Sequence, residues 1–371
     1  MIYADHAATT QLDREAFEAM LPFLLKEYGN ASQPYSFSRT AKRALEQARE
    51  IIAQCIGALP EEIYFTSGGT ESNNWALKGS LSYEERCEII TSQIEHHSVL
   101  NVCKAAEKLR FNTRYLPVDT FGTVSAAALD KNISDKTKLV SVMMANNEVG
   151  TIEPIQELCS ITHRHGVVFH TDAVQAIGHV PVDVACLNVD MLSASAHKFN
   201  GPKGIGFLYI RKGTPLRPYA DGGSQEHGLR AGTENVAAIV GMAAALKKSC
   251  DTMQQRIGHL KYLEQQLLCR LREAHIDFIR NGTNQLPGNI SLSFREAEGE
   301  MLLHRLDFMG ICVSLGSACN SGNMQMSHVL EAMKVPKEYA IGTIRVSFGH
   351  TNTVEDADII ADAIVRILKD Q

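Results

Sequence analysis

The feature that most constrains this fold is a chain-long alternation between short β-prone apolar runs and helical stretches. Runs at Glu62–Thr66, Glu88–Thr91, Leu139–Met144, Val167–His170, Met191–Ala194 and Gly206–Ile210 are separated by segments of helical period such as Ser98–Leu109 and Ile155–His165. Strands that are apolar nearly throughout need cover on both faces. The pattern therefore predicts an α/β fold whose large domain is built on a mostly parallel sheet between helices. From Met253 the period changes: Met253, Ile257, Leu260, Leu263, Leu267 and Leu271 mark one long amphipathic helix. Beyond it, strands are expected at Asn289–Phe294 and Thr343–Phe348, with a closing helix at Glu355–Lys369. This divides the chain into a large domain over 13–250 and a smaller α+β domain made from 1–12 and 251–371.

Composition narrows the function classes. The net charge of −6 over 371 residues leaves no electrostatic footprint for nucleic acid or an anionic membrane. No apolar run approaches the ~18 residues of a spanning helix. The opening Met1–Asp5 has neither a basic start nor an apolar core, so a cytoplasmic location is the expectation. Nine cysteines without C-x-x-C spacing argue against a disulfide framework or a structural metal site, and no metal is expected.

The chemistry concentrates at turns after strands. Lys198 is delivered by Met191–Ala194 into the Gly-rich turn that follows, where an amine able to form an imine with an aldehyde cofactor should sit. Asp172 ends another strand, with Gln175 three residues on, and a carboxylate there could hold a pyridine nitrogen protonated. Ser67-Gly-Gly69-Thr70 links a strand to a helix, so its amides and the Thr70 hydroxyl could cradle a phosphate, helped by Ser195 and His197. His96, after a further strand, could stack on a ring and exchange protons near neutral pH. Each feature alone also reads as an ordinary turn or helix cap. Cys319 lies in the polar, Gly-rich segment from Ser314 to Met326.

Taken together, Ser67-Gly-Gly-Thr70-Glu-Ser-Asn-Asn74, Glu95-His96, Ala145-Asn-Asn147-Glu-Val-Gly150, His170-Thr-Asp172-Ala-Val-Gln175, Ser195-Ala-His-Lys198, Gly222-Gly-Ser-Gln-Glu226, Arg230-Ala-Gly-Thr233 and Gly316-Ser-Ala-Cys319 resemble the cysteine desulfurases of the NifS/IscS type. The resemblance spans nearly the whole chain. It implies a fold-type I enzyme with a seven-stranded sheet in its large domain, dependent on pyridoxal phosphate (PLP). It further implies a homodimer that takes sulfur from L-cysteine, releases L-alanine and holds the sulfur as a persulfide on Cys319. The sulfur would pass to an acceptor protein for iron–sulfur cluster assembly or for thio-modification of tRNA or DNA.

Carried over by the resemblance, Lys198 binds the cofactor aldehyde, Asp172 the pyridine nitrogen and Gln175 the ring hydroxyl, while His96 stacks on the ring. Gly69, Thr70, Ser195 and His197 hold the phosphate, with Thr233 reaching in from the other subunit. Asn147 and Arg345 bind the substrate carboxylate. Departures from the usual pattern stand at His6, Tyr35, Leu315 and Asn320, the first two being expected near the substrate entrance. An aminotransferase would need no thiol at Cys319, and a silent sulfur-transfer scaffold would need no Lys198.

Overall fold

The computed structural model describes residues 1–81, 87–315 and 326–370. Its centre is a seven-stranded sheet in the spatial order Ile63–Thr66, Gly206–Ile210, Met191–Ser195, Val168–Asp172, Thr137–Ser141, Glu88–Ser92 and Asn112–Leu116. Gly206–Ile210 runs antiparallel to both of its neighbours, and every other pairing is parallel. The inner strands Met191–Ser195 and Gly206–Ile210 are buried at every position, the small Ser193 and Ser195 included, as strands covered on both faces require.

Asn112–Leu116 completes the sheet at one edge. Its polar sequence and its alternation of exposed and half-buried positions carry no apolar run, which is why the pattern did not disclose it. The expected strand at Leu139–Met144 lies instead at Thr137–Ser141. Val142, Met143 and Met144 are buried, but they leave the ladder and turn beneath the cavity described below, where Met144 N–H donates to the Asp172 carbonyl.

The long helix is present at Met253–Glu273, preceded by Val236–Asp251. Beyond it lies a four-stranded antiparallel sheet in the order Ser314–Leu315, Thr343–Ser347, Asn289–Phe294, Phe278–Asn281, covered by Val354–Lys369. The chain changes sheets at Val313: Ile311–Cys312 pairs with Ile2–Tyr3, while Ser314–Leu315 pairs with Thr343–Ser347. This sheet and its helices enclose an apolar core around Leu263, Leu267, Phe294 and Ile364, separate from the core that includes Phe169, Phe199 and Phe207. Among the described residues, no helix is long and apolar enough to cross a membrane.

Candidate active site

Loops leaving the carboxyl ends of the parallel strands converge on a cavity of about 310 Å³, the usual ligand position in such sheets. Gly69, Thr70, His96, Asn147, Asp172, Gln175, Ser195, His197, Lys198 and Arg345 all line it. Thr233 does not, being exposed on the surface of its own chain. Cys319 and Asn320 lie outside the described residues. His6 and Tyr35 line no part of this cavity. His6 sits behind Ala7 with its ring against Gly349, where a Cβ would come within 2.2 Å of it, and Tyr35 is exposed.

Lys198 ends the single turn Ala196–Lys198 after its strand. Its Nζ donates to the carbonyls of Ala7 (2.6 Å) and Ala8 (2.8 Å), and Gln175 Nε2 also donates to Ala7 at 3.0 Å. Side chains from distant segments hold the backbone of this turn. Thr10 Oγ1 donates to the His197 carbonyl (2.8 Å), His179 Nε2 to that of Lys198 (2.9 Å) and Ser249 Oγ to that of Phe199 (3.3 Å).

One end of the cavity is a helix start. Gly68, at φ +146, precedes Gly69–Gly79 and brings no capping side chain to the helix amides. The turn lies so close to the sheet that a Cβ on Gly206 would come 2.8 Å from Gly68 Cα. Thr70, Ser195 and His197 border the same end, an arrangement suited to an anion. Burial pushes the His197 pKa down to about 4, so the ring is neutral at pH 7, and its Nδ1 meets Thr9 Oγ1 at 3.1 Å.

Asp172 accepts from Asn73 Nδ2 at 2.6 Å and from Val174 N–H at 3.0 Å. Asn73 Nδ2 also donates to Ser98 Oγ (2.8 Å), which lies 2.8 Å from His96 Nδ1. Because the Ser98 backbone N–H points at the same Nδ1, that nitrogen accepts, and the neutral ring carries its proton on Nε2. Burial lowers the His96 pKa, which favours this neutral form. Beneath it, burial raises the Glu95 carboxyl to about 8; the group accepts from Ser92 Oγ and Met143 N–H.

Arg345 is buried. Its Nη2 donates to Asp5 Oδ1 (2.7 Å) and its Nη1 to the Asn147 carbonyl (2.8 Å), while Nε is buried with no partner. A fixed guanidinium with unused donor capacity at a cavity wall suits an incoming carboxylate.

The residues missed from sequence are mostly second partners: Asp5, Thr9, Thr10, Asn73, Ser98, His179 and Ser249. Only Asn73 carried a usable signal, since it lies three residues after Thr70 and so on the same helix face.

The class-V aminotransferase family matches residues 2–360 of the chain. The chain is 50% identical over 373 residues to the cysteine desulfurase IscS of Dictyoglomus turgidum, covering 99% of itself and 94% of that protein. It belongs to the NifS/IscS family of cysteine desulfurases. A solved NifS-like protein aligns with a TM-score of 0.94 at 40% identity over the full length of both chains. A second solved structure, SspA in complex with cysteine, aligns with a TM-score of 0.83 at 36% identity, covering 94% of this chain and 99% of that one. Cysteine desulfurases of this class are PLP-dependent.

Proposed function

We propose that this enzyme converts L-cysteine to L-alanine and retains the sulfur on Cys319 as a persulfide for transfer to an acceptor protein. The observation that carries the reading is the convergence of Lys198, Asp172, His96 and Arg345 on one cavity beside a helix start suited to an anion.

The residues present fit PLP. The uncapped amides with Thr70, Ser195 and His197 would hold its phosphate, Asp172 its ring nitrogen, Gln175 its hydroxyl and Lys198 its aldehyde. When bound, it would supply an electron sink that weakens the bonds at the substrate α-carbon. Two accepted hydrogen bonds fix the Asp172 carboxyl group in place for this role. Arg345, oriented by Asp5, would bind the substrate carboxylate together with Asn147, which fixes the amino acid before chemistry begins. Lys198 Nζ then moves the α-proton, and the neutral His96 holds a proton on Nε2. The Cys319 thiolate attacks the substrate sulfur: an S–S bond forms, the C–S bond breaks, and protonation of the carbon fragment gives alanine.

The reading extends to a division into domains at 13–250 and at 1–12 with 251–371, supported by the apolar core around Leu263, Phe294 and Ile364, whose residues all come from 1–12 and 251–371. It also includes a homodimer, since Thr233 lies away from its own chain's cavity, and a cytoplasmic setting. The acceptor would serve iron–sulfur assembly or nucleic-acid thio-modification. Lys198→Ala tests the core of the reading. It should abolish covalent cofactor attachment and alanine formation from cysteine, and unchanged attachment would assign the aldehyde to another lysine.

A further inference from the structure

Glu148 follows Asn147 at the cavity wall, yet it has no part in this chemistry. Its carboxyl group is buried and accepts a hydrogen bond from Ser327 Oγ. The backbone beneath it is fixed: Asn146 Oδ1 accepts from the N–H groups of Glu148 (2.8 Å) and Val149 (3.0 Å), while Asn146 Nδ2 donates to the Ile94 carbonyl (2.9 Å). Burial pushes the Glu148 carboxyl up to about 7, against the Ser327 hydrogen bond and the positive charge of Arg345. Ser327 follows the segment that carries Cys319 and caps the helix His328–Ala332, accepting from Val329 N–H at 3.1 Å. The next residue, His328, donates from Nε2 to the Glu95 carbonyl (3.1 Å), beside His96. Val329, Leu330 and Met333 then pack with Ile94, Met143 and Val149 in a small apolar core, and Met143 also lines the cavity. On the other side of Cys319, Ser314 pairs opposite Arg345 in the antiparallel ladder.

We propose that Glu148 is a positioning residue for sulfur transfer: through Ser327 it fixes where the segment carrying Cys319 rejoins the cavity wall, given the reading that Cys319 accepts the sulfur. A buried carboxyl is a costly way to fill such a position, since an apolar side chain would pack there without desolvating a polar group. What the carboxyl adds is a directional bond to Ser327. That bond belongs to the same wall as the substrate groups, because the Asn147 carbonyl, next to Glu148, accepts from Arg345 Nη1 at 2.8 Å. Neither Glu148 nor Ser327 lines the cavity, so the pair acts on the delivery of sulfur to Cys319 and not on the binding of cofactor or cysteine.

The test uses full-length, cofactor-loaded protein and one equivalent of L-cysteine, with the mass of the unreduced Cys319 peptide followed over time. Glu148→Ala and Ser327→Ala should each slow the appearance of sulfur on Cys319 by about tenfold, the loss expected of one hydrogen bond to a buried carboxyl group. The double substitution should be no slower than the slower single one. Glu148→Gln, whose amide oxygen can still accept from Ser327, should recover most of the rate. Cofactor absorption and its titration by cysteine should match wild type in every variant. Hydrogen exchange of the His328–Ala332 amides, which needs no turnover, should quicken in Glu148→Ala and return in Glu148→Gln. Ser327→Ala removes only a hydroxyl and carries the test even where Glu148→Ala unfolds. Additive losses, weakened cysteine binding, or transfer at the wild-type rate in Ser327→Ala would overturn the inference alone. A wild-type enzyme that places no sulfur on Cys319 would overturn the reading and the inference together, so the two failures are told apart.

Discussion

Asp172 ends one strand and His96 caps the helix that follows another, yet they are joined through two intervening side chains. Asn73 donates to Asp172 Oδ2 at 2.6 Å and to Ser98 Oγ at 2.8 Å, and Ser98 donates in turn to His96 Nδ1 at 2.8 Å. The chain has a single consistent direction, because both Asn73 hydrogens are used and Nδ1 can only accept. The carboxylate assigned to the cofactor nitrogen and the imidazole assigned to its ring face are thus oriented by one asparagine.

Asn73→Ala should therefore disturb two functions at once. Loss of hydrogen bonds to a buried charged group costs about 1.5–3 kcal/mol, or roughly tenfold to a hundredfold in kcat/KM if it is felt in the transition state. Ser98→Ala should leave cofactor affinity near wild type and change mainly the pH dependence of kcat. Steady-state alanine production across pH separates the two; identical profiles for both variants would contradict the relay.

Substrate capture is separable from cofactor binding. Arg345→Lys keeps a charge but loses the fork, so KM for cysteine should rise by about tenfold or more while the visible cofactor absorption of the resting enzyme is unchanged. Asp5→Asn should have a weaker effect of the same kind, because it loosens the guanidinium without removing it. Cysteine titrations followed by alanine release measure both.

The clasp on the Lys198 turn predicts that His179→Leu will lower thermal stability. A buried carbonyl left without its donor costs about 1–3 kcal/mol. His179→Gln can still donate and should recover most of the loss in melting temperature and in kcat. Failure of the glutamine variant to recover would mean that the ring's packing, not its hydrogen bond, supports the turn.

Glu95 gives a pH dependence of defined sign. Its folded pKa of about 8 lies above the ordinary carboxyl value of 4.5, because burial disfavours the charged form. Between those values the native state binds more protons than the unfolded state, so Glu95 makes stability fall as pH rises from about 4.5 to about 8. Buried His170, lowered to about 3, acts oppositely in acid, adding stability as pH rises toward 6.5. Denaturant midpoints at pH 6 to 8 should therefore decline less for Glu95→Gln than for wild type, and parallel curves would exclude Glu95 as the source.

Most of this architecture was legible because a doubly covered sheet leaves a strong local record: Met191–Ser195, with only small serines among its apolar residues, and the apolar Gly206–Ile210 are buried throughout. The edge strand Asn112–Leu116 left no such record, since an edge needs no unbroken apolar run. Lys198, Asp172 and His96 were legible because each stands at or shortly after the carboxyl end of a strand. The residues that orient them were not. Asp5 reaches Arg345, and His179 reaches the Lys198 carbonyl, across separations or irregular backbone that no local period encodes.

The central claim is that sulfur leaves cysteine onto Cys319. The most direct measurement is to mix the cofactor-loaded enzyme with one equivalent of L-cysteine, alkylate it without reduction, and weigh the peptide that contains Cys319 while assaying alanine. One added sulfur atom on Cys319 is expected, matched by one alanine and absent in Cys319→Ser, which should still bind the cofactor. Alanine formed with no sulfur on Cys319, or with the sulfur on another cysteine, would contradict the account.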